Sequence, residues 1–123
     1  MKKHMILFID TTVANQIRLQ LKQAGQLIAE LNIDTNRNQN ELLLPEIEKL
    51  LKQNKLKLSN LTSIEVANGQ GSFSSLRLGI VTANALGYAL GIPVKDDSGF
   101  AQKTEGLTII DPIYNGEPNI GGK

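Results

Sequence analysis

Apolar and polar positions alternate through the first third of the chain in a pattern that predicts strands. Met5 to Thr12 (MILFIDTT) is an apolar run closed by polar residues, as in a buried strand. Gln16 to Gln23 sets Ile17, Leu19 and Leu21 against Arg18, Gln20 and Lys22, the period of two of a half-buried strand. Ala24-Gly25-Gln26 signals a turn, and Leu27 to Ile33 makes a third strand. Three strands joined by short turns form an antiparallel meander. The polar stretch Asp34 to Asn40 separates them from a helix over about Glu41 to Asn54. There Leu43, Leu44, Ile47, Leu50 and Leu51 fall within an arc of about 120°. Pro45 lies in or near the first turn, where a missing N–H does little harm. Ser63 to Ala67 is a fourth strand, followed by a glycine loop, Asn68 to Phe73. A second helix runs from Ser74 or Ser75 to Leu90 and is stopped by Gly91 and Pro93. Ile92 to Val94 leaves room for a short last strand only. The fourth strand sits between two helices, as parallel strands require. The expected class is α/β, with a mixed sheet.

The second helix has two apolar sides. Leu76, Ile80, Ala83 and Gly87 form one; Leu78, Val81, Ala85 and Ala89 form the other. Arg77 with Asn84, and Ser75 with Thr82, mark narrow polar seams between them. A helix on the surface of a monomer needs one apolar stripe. A sheet can bury one side, and a second chain is the natural cover for the other. The side expected to face a partner carries Leu76, Ile80, Ala83 and Gly87 with Arg77 at its margin, joined by Leu43 and Ile47 of the first helix. A helix held between the sheet and the first helix of the same chain is the competing arrangement.

Composition narrows the function. The 123 residues suit one domain. Aromatic residues are 4%, so the core rests on Leu, Ile, Val and Ala. There is no cysteine, which excludes disulfides, zinc–thiolate sites and thiol catalysis. The one histidine, His4, stands at the start of the chain, where it reads as solvated. No apolar run is long enough to span a membrane, and a cytoplasmic location is expected. The formal net charge of +1 gives no large electrostatic footprint for nucleic acid. Lys49, Lys52 and Lys55 near the end of the first helix are read as partners of the helix dipole rather than as an RNA patch.

Candidate chemistry is thin. Gly69 and Gly71, with Ser72, precede a helix whose N-terminal N–H groups attract anions. They lack both the third glycine of a dinucleotide fingerprint and the Gly-Lys-Ser/Thr of a P-loop, and a tight strand-to-helix turn explains them equally. Asp10, with Thr11 and Thr12, ends the first strand and could hold a metal-nucleotide or serve only as a turn acceptor. Asp96 and Asp97 are read as solvated linker residues. No base, nucleophile and oxyanion donor come together, so no catalytic residue and no cofactor is expected.

Several segments in order resemble one family. Asp10-Thr11-Thr12 resembles the Asp-Thr-Ser of TsaB proteins. Glu41-Leu42-Leu43-Leu44-Pro45 resembles their His-Ser-Glu-x-Leu-Leu-Pro helix start. Asn68 to Gly79 (NGQGSFSSLRLG) follows their Gly-Pro-Gly-Ser-Phe-Thr-Gly-Leu-Arg-x-Gly segment. Leu58-Ser59-Asn60-Leu61 looks like their Leu-Ser-Asp-Leu linker. The chain departs from the pattern at Gln39, where the family often has His, and at Leu42, where it often has Arg. Gln70 replaces a Pro and Ser75 a Gly. The tail Pro112 to Pro118 resembles the Pro-x-Tyr-x-Arg segment that ends full-length members, with Gly116 for the Arg.

The resemblance implies an actin-like, ribonuclease-H-like lobe over residues 1–95, a linker over 96–106 and a tail over 107–123, with most of a second lobe missing. It implies a non-catalytic subunit that binds TsaD, with TsaE as a third component, in the complex forming N6-threonylcarbamoyladenosine in ANN-decoding tRNAs. The tRNA would be met only indirectly, no membrane is involved, and the same helix side would give a homodimer when the chain is alone. Asp10, Thr11, Thr12, Gly69, Gly71 and Ser72 would be vestiges of phosphate loops. A protease or metal enzyme is disfavoured, because metal-ligating histidines are missing. A self-associating nucleotide-binding module is the alternative. The tail from Leu107 to Ile120 is expected to dock against the lobe.

Overall fold

The computed structural model describes residues 4–68, 73–96, 102–104 and 107–109. Three strands open the chain: β1 Met5–Asp10, β2 Gln16–Gln23 and β3 Gln26–Asp34. Helix α1 (Gln39–Gln53) and a 3-10 turn (Leu58–Asn60) lead to β4 (Ser63–Val66). Helix α2 (Phe73–Leu90) is followed by β5 (Val94–Asp96), β6 (Gln102–Thr104) and β7 (Leu107–Ile109). The main sheet has the order β3-β2-β1-β4-β5. The meander is antiparallel, while β4 and β5 run parallel to β1. The expected mixed α/β sheet is therefore present.

Register decides which side chains meet. Leu7 lies opposite Leu21 and Ile64, and Ile9 opposite Leu19 and Val66. All six are buried on one face. That face gathers Leu43, Ile47, Leu50 and Leu51 of α1 and Leu76, Ile80 and Ala83 of α2 into one core. Both helices thus cover the same side of the sheet. On the other side Phe8 lies under the Arg18 guanidinium and the Lys22 ammonium, 5.6 and 5.2 Å from its ring centre. Lys22 reaches Glu65 at 3.5 Å, and Gln20 donates to Glu30 at 2.9 Å. This face is polar, and its ring is screened by cationic side chains.

The turns follow the backbone each residue tolerates. Ala24 (φ 53°) and Gly25 (φ 81°) form a two-residue hairpin with both central residues left-handed, which matches the twist of β2 and β3. Gly91 (φ 69°) ends α2: its N–H donates to Tyr88 O and that of Ile92 to Gly87 O. Helix α1 ends the same way, with Lys55 (φ 60°) in the position where glycine is usual. Pro45 lies past the first turn of α1, on its exposed side.

The chain after β4 differs from expectation in two places. The last strand of the main sheet is Val94–Asp96, later than Ile92 to Val94. The segment read as a polar linker contains β6, which pairs antiparallel with β7. Strand β7 lies beside α2 and β5, so the start of the tail meets the lobe. Residues 110–123 lie outside the described residues, as does the resemblance carried by Pro112 to Pro118.

Candidate functional site

The expected partner surface is overturned. Leu43, Ile47, Leu76, Ile80 and Ala83 are at most 1% exposed and belong to the chain's own core. Gly87 is buried as well. The reason is the line of small residues on that side of α2. A methyl group at Gly79 would come within 2.6 Å of Thr11 Oγ1, and one at Gly87 would collide with Val94. Glycine at these positions lets the helix backbone approach the sheet closely. The large neighbours Leu76 and Ile80 then fill the space beside it.

The opposite side of α2 faces outward. Val81 is 55% and Tyr88 69% exposed, and Ala85 and Ala89 are exposed between and beside them. Arg77 flanks this stripe at its N-terminal end and is exposed. Leu44 of α1 is exposed too, although it lies within the arc read as buried. One face of α2 therefore packs on the sheet and a second, also apolar, is bare. The glycines of the line Leu76-Gly79-Ile80-Ala83-Gly87 are the sequence signal that separates the two sides.

The polar ends of the strands are held by the chain itself. Asp10 Oδ1 accepts the Thr12 N–H at 2.9 Å and the Thr12 hydroxyl at 2.6 Å, and Oδ2 accepts from Arg18 at 3.2 Å. Arg18 is the cross-strand partner of Asp10 in the register. Asp10 is thus a turn acceptor and one end of a strand-pairing ion pair. Thr11 is buried, and its Oγ1 accepts the Gly79 N–H at 3.1 Å, which ties the end of β1 to the middle of α2. Gln39, noted in the sequence only as a departure, starts α1 and clamps this loop. Its Nε2 donates to Val13 O at 3.1 Å and to Gln16 O at 2.6 Å.

Asp96 is not a solvated linker residue. It ends β5, is 3% exposed and accepts from Asn68 Nδ2 at 3.2 Å. Burial of a carboxylate demands such a partner. Asp10, Thr11, Asn68 and Asp96 all lie where β1, β4 and β5 end. Gly69, Gly71 and Ser72 lie outside the described residues. Among the described residues, no group of three or more His, Cys, Asp or Glu is placed to hold a metal ion.

A family model described as "TsaD: tRNA N6-adenosine threonylcarbamoyltransferase" matches residues 26–96, more than half of the chain. The chain is a TsaB/YeaZ-like member of this family. It is 30% identical over 89 residues to the "tRNA threonylcarbamoyladenosine biosynthesis protein TsaB" of Bacillus subtilis, covering 72% of this chain and 38% of that protein. It is 39% identical over 85 residues to the "tRNA N6-adenosine threonylcarbamoyltransferase" of Protochlamydia amoebophila, covering 69% of this chain and 24% of that enzyme. Its fold is that of YeaZ from Pseudomonas aeruginosa, with a TM-score of 0.69 at 20% identity over 85% of this chain and 63% of YeaZ. The chain spans between about a quarter and two fifths of the length of these two curated relatives. No described helix is long and apolar enough to cross a membrane.

Proposed function

We propose that this chain is a non-catalytic subunit that docks on TsaD through the outward side of α2, in the complex that forms N6-threonylcarbamoyladenosine in tRNA. The observation that carries this reading is the bare stripe of Val81, Ala85, Tyr88 and Ala89 on a helix whose other side already fills the core. A stripe of this kind, with an exposed aromatic ring near its C-terminal end and Arg77 at its N-terminal end, has the anatomy of a helix–helix interface. The family membership supports TsaD as the occupant and tRNA modification as the setting. The non-catalytic part rests on the residues themselves: both carboxylate oxygens of Asp10 are engaged by Thr12 and Arg18, and His4 is the sequence's one histidine. TsaE joins the pair as a third component. Without TsaD, two copies of the chain cover the same stripe.

The reading is tested by reconstitution. TsaD from the same source, with TsaE and the threonylcarbamoyl donor, is assayed for transfer to tRNA with and without this chain. Transfer that depends on the chain, and fails with Tyr88→Asp, is the expected result. Transfer that proceeds equally in its absence contradicts the proposal.

A further inference from the structure

The lysines at the end of α1 outnumber what the helix dipole explains. From residue 49 to residue 64 the sequence holds Lys49, Lys52, Lys55 and Lys57 and no acidic residue. All four side chains are exposed. Among the described residues, none of these four forms an ion pair, whereas Arg18 and Lys22 do. The macrodipole acts within the last turn of a helix. That covers Lys52 and Lys55, but Lys49 stands before the last turn and Lys57 lies beyond the end of α1 at Gln53. Lys49 and Lys52 are neighbours, three residues apart on the side of the helix opposite Ile47 and Leu50.

Lys55 adds an independent observation. It occupies the left-handed position that terminates α1, at φ 60°. Glycine takes that conformation without the clash a side chain brings, and α2 uses Gly91 there. Termination alone would favour glycine at position 55. A lysine there keeps a charge at a backbone cost.

The fold concentrates this charge at one end. The segment after α1 returns to the start of β1, where the Thr62 N–H donates to Met5 O and the Met5 N–H to Thr62 Oγ1. His4 is exposed beside it. The strand-end carboxylates Asp10, Asp34 and Asp96 all lie at the other end of the sheet. Glu48, which precedes Lys49 in α1, offsets part of this charge, and the four lysines still leave this end net positive. We infer that the basic end formed by Lys49, Lys52, Lys55 and Lys57 contacts the phosphate backbone of RNA. This inference rests on the proposed place in tRNA modification, which selects RNA over other polyanions. The contact is a phosphate contact: it positions the RNA and reads no base. It uses a different surface from the outward side of α2, so RNA and TsaD are bound together.

The test uses the full chain in complex with TsaD and an unmodified ANN-decoding tRNA transcript, followed by fluorescence anisotropy over a salt series. Each lysine that neutralises a phosphate adds about one to the slope of log K against log salt, and its removal takes that share away. Replacing Lys49, Lys52 and Lys57 with Gln should lower the slope by about three and weaken binding at low salt at least tenfold. Lys95→Gln, at an exposed lysine on β5, should leave both unchanged. Lys55→Gly should raise the melting temperature of the chain while weakening RNA binding, a divergence that a structural role does not produce. An unchanged slope for the triple variant overturns the inference. So does lysine-dependent binding to anionic phosphatidylglycerol vesicles with no lysine effect on RNA. Co-elution with TsaD is measured on the same samples. If the chain fails to co-elute, the proposed function fails; if it co-elutes and the slope is unchanged, only the RNA contact fails.

Discussion

Gly79→Ala puts a methyl group into the closest approach between α2 and the sheet. In an unobstructed helix this change stabilises by about 0.8–1.0 kcal/mol. Here the new Cβ would lie 2.6 Å from Thr11 Oγ1, well inside contact distance. Thr11 is 1% exposed, and its hydroxyl accepts the Gly79 N–H, so it has little room to retreat. Overpacking of this kind costs about 1–3 kcal/mol, and displacing the hydroxyl loses a further ~1 kcal/mol of hydrogen bonding. The net expectation is a loss of about 1–3 kcal/mol, or roughly 4 °C in Tm per kcal/mol for a domain of this size. Thr11→Ala removes the obstructing atom. In that background Gly79→Ala should be neutral or stabilising, a coupling of about 2 kcal/mol between the two sites. Urea unfolding of the four proteins measures the cycle. A rise in stability for Gly79→Ala alone would refute the close approach and with it the side of α2 assigned to the core.

Ile80→Asp should unfold the chain, since it places an uncompensated carboxylate in the core at a cost of at least about 3 kcal/mol; circular dichroism would show the loss of helix. Gln39→Ala should release the loop between β1 and β2 and cost about 1–2 kcal/mol in urea unfolding, because Val13 O and Gln16 O lose their shared donor. Ending the chain after Thr104 removes β7 from β6 and from its place beside α2 and β5. A lower Tm is expected, and an unchanged Tm would make the pairing irrelevant to stability.

The strands and helices are legible in the sequence because their periodicities are strong. Ile17, Leu19 and Leu21 mark β2 by alternation, and Gly91 with Pro93 marks the end of α2. Periodicity does not say which apolar side of α2 meets the sheet. Leu76 and Ile80 look as suitable for a partner as for a core, and the decision rests on backbone proximity at Gly79 and Gly87. Asp96 escapes a sequence reading for a related reason. The polar pair Asp96-Asp97 resembles a linker, but Asp96 is buried by its pairing with Asn68, 28 residues away in sequence. Gln39 shows the reverse case. It is a departure from the family pattern at the family's own position, and its role emerges only when the loop from Thr11 to Gln16 folds over its amide.

The claim that the outward side of α2 is the docking surface is tested most directly by Val81→Asp. Val81 is 55% exposed in the chain alone, so the substitution should leave Tm within about 2 °C of the parent. In a desolvated contact the same carboxylate costs several kcal/mol, and affinity for TsaD measured by isothermal titration calorimetry should fall at least about a hundredfold. A folded Val81→Asp protein that binds TsaD as tightly as the parent would contradict the account.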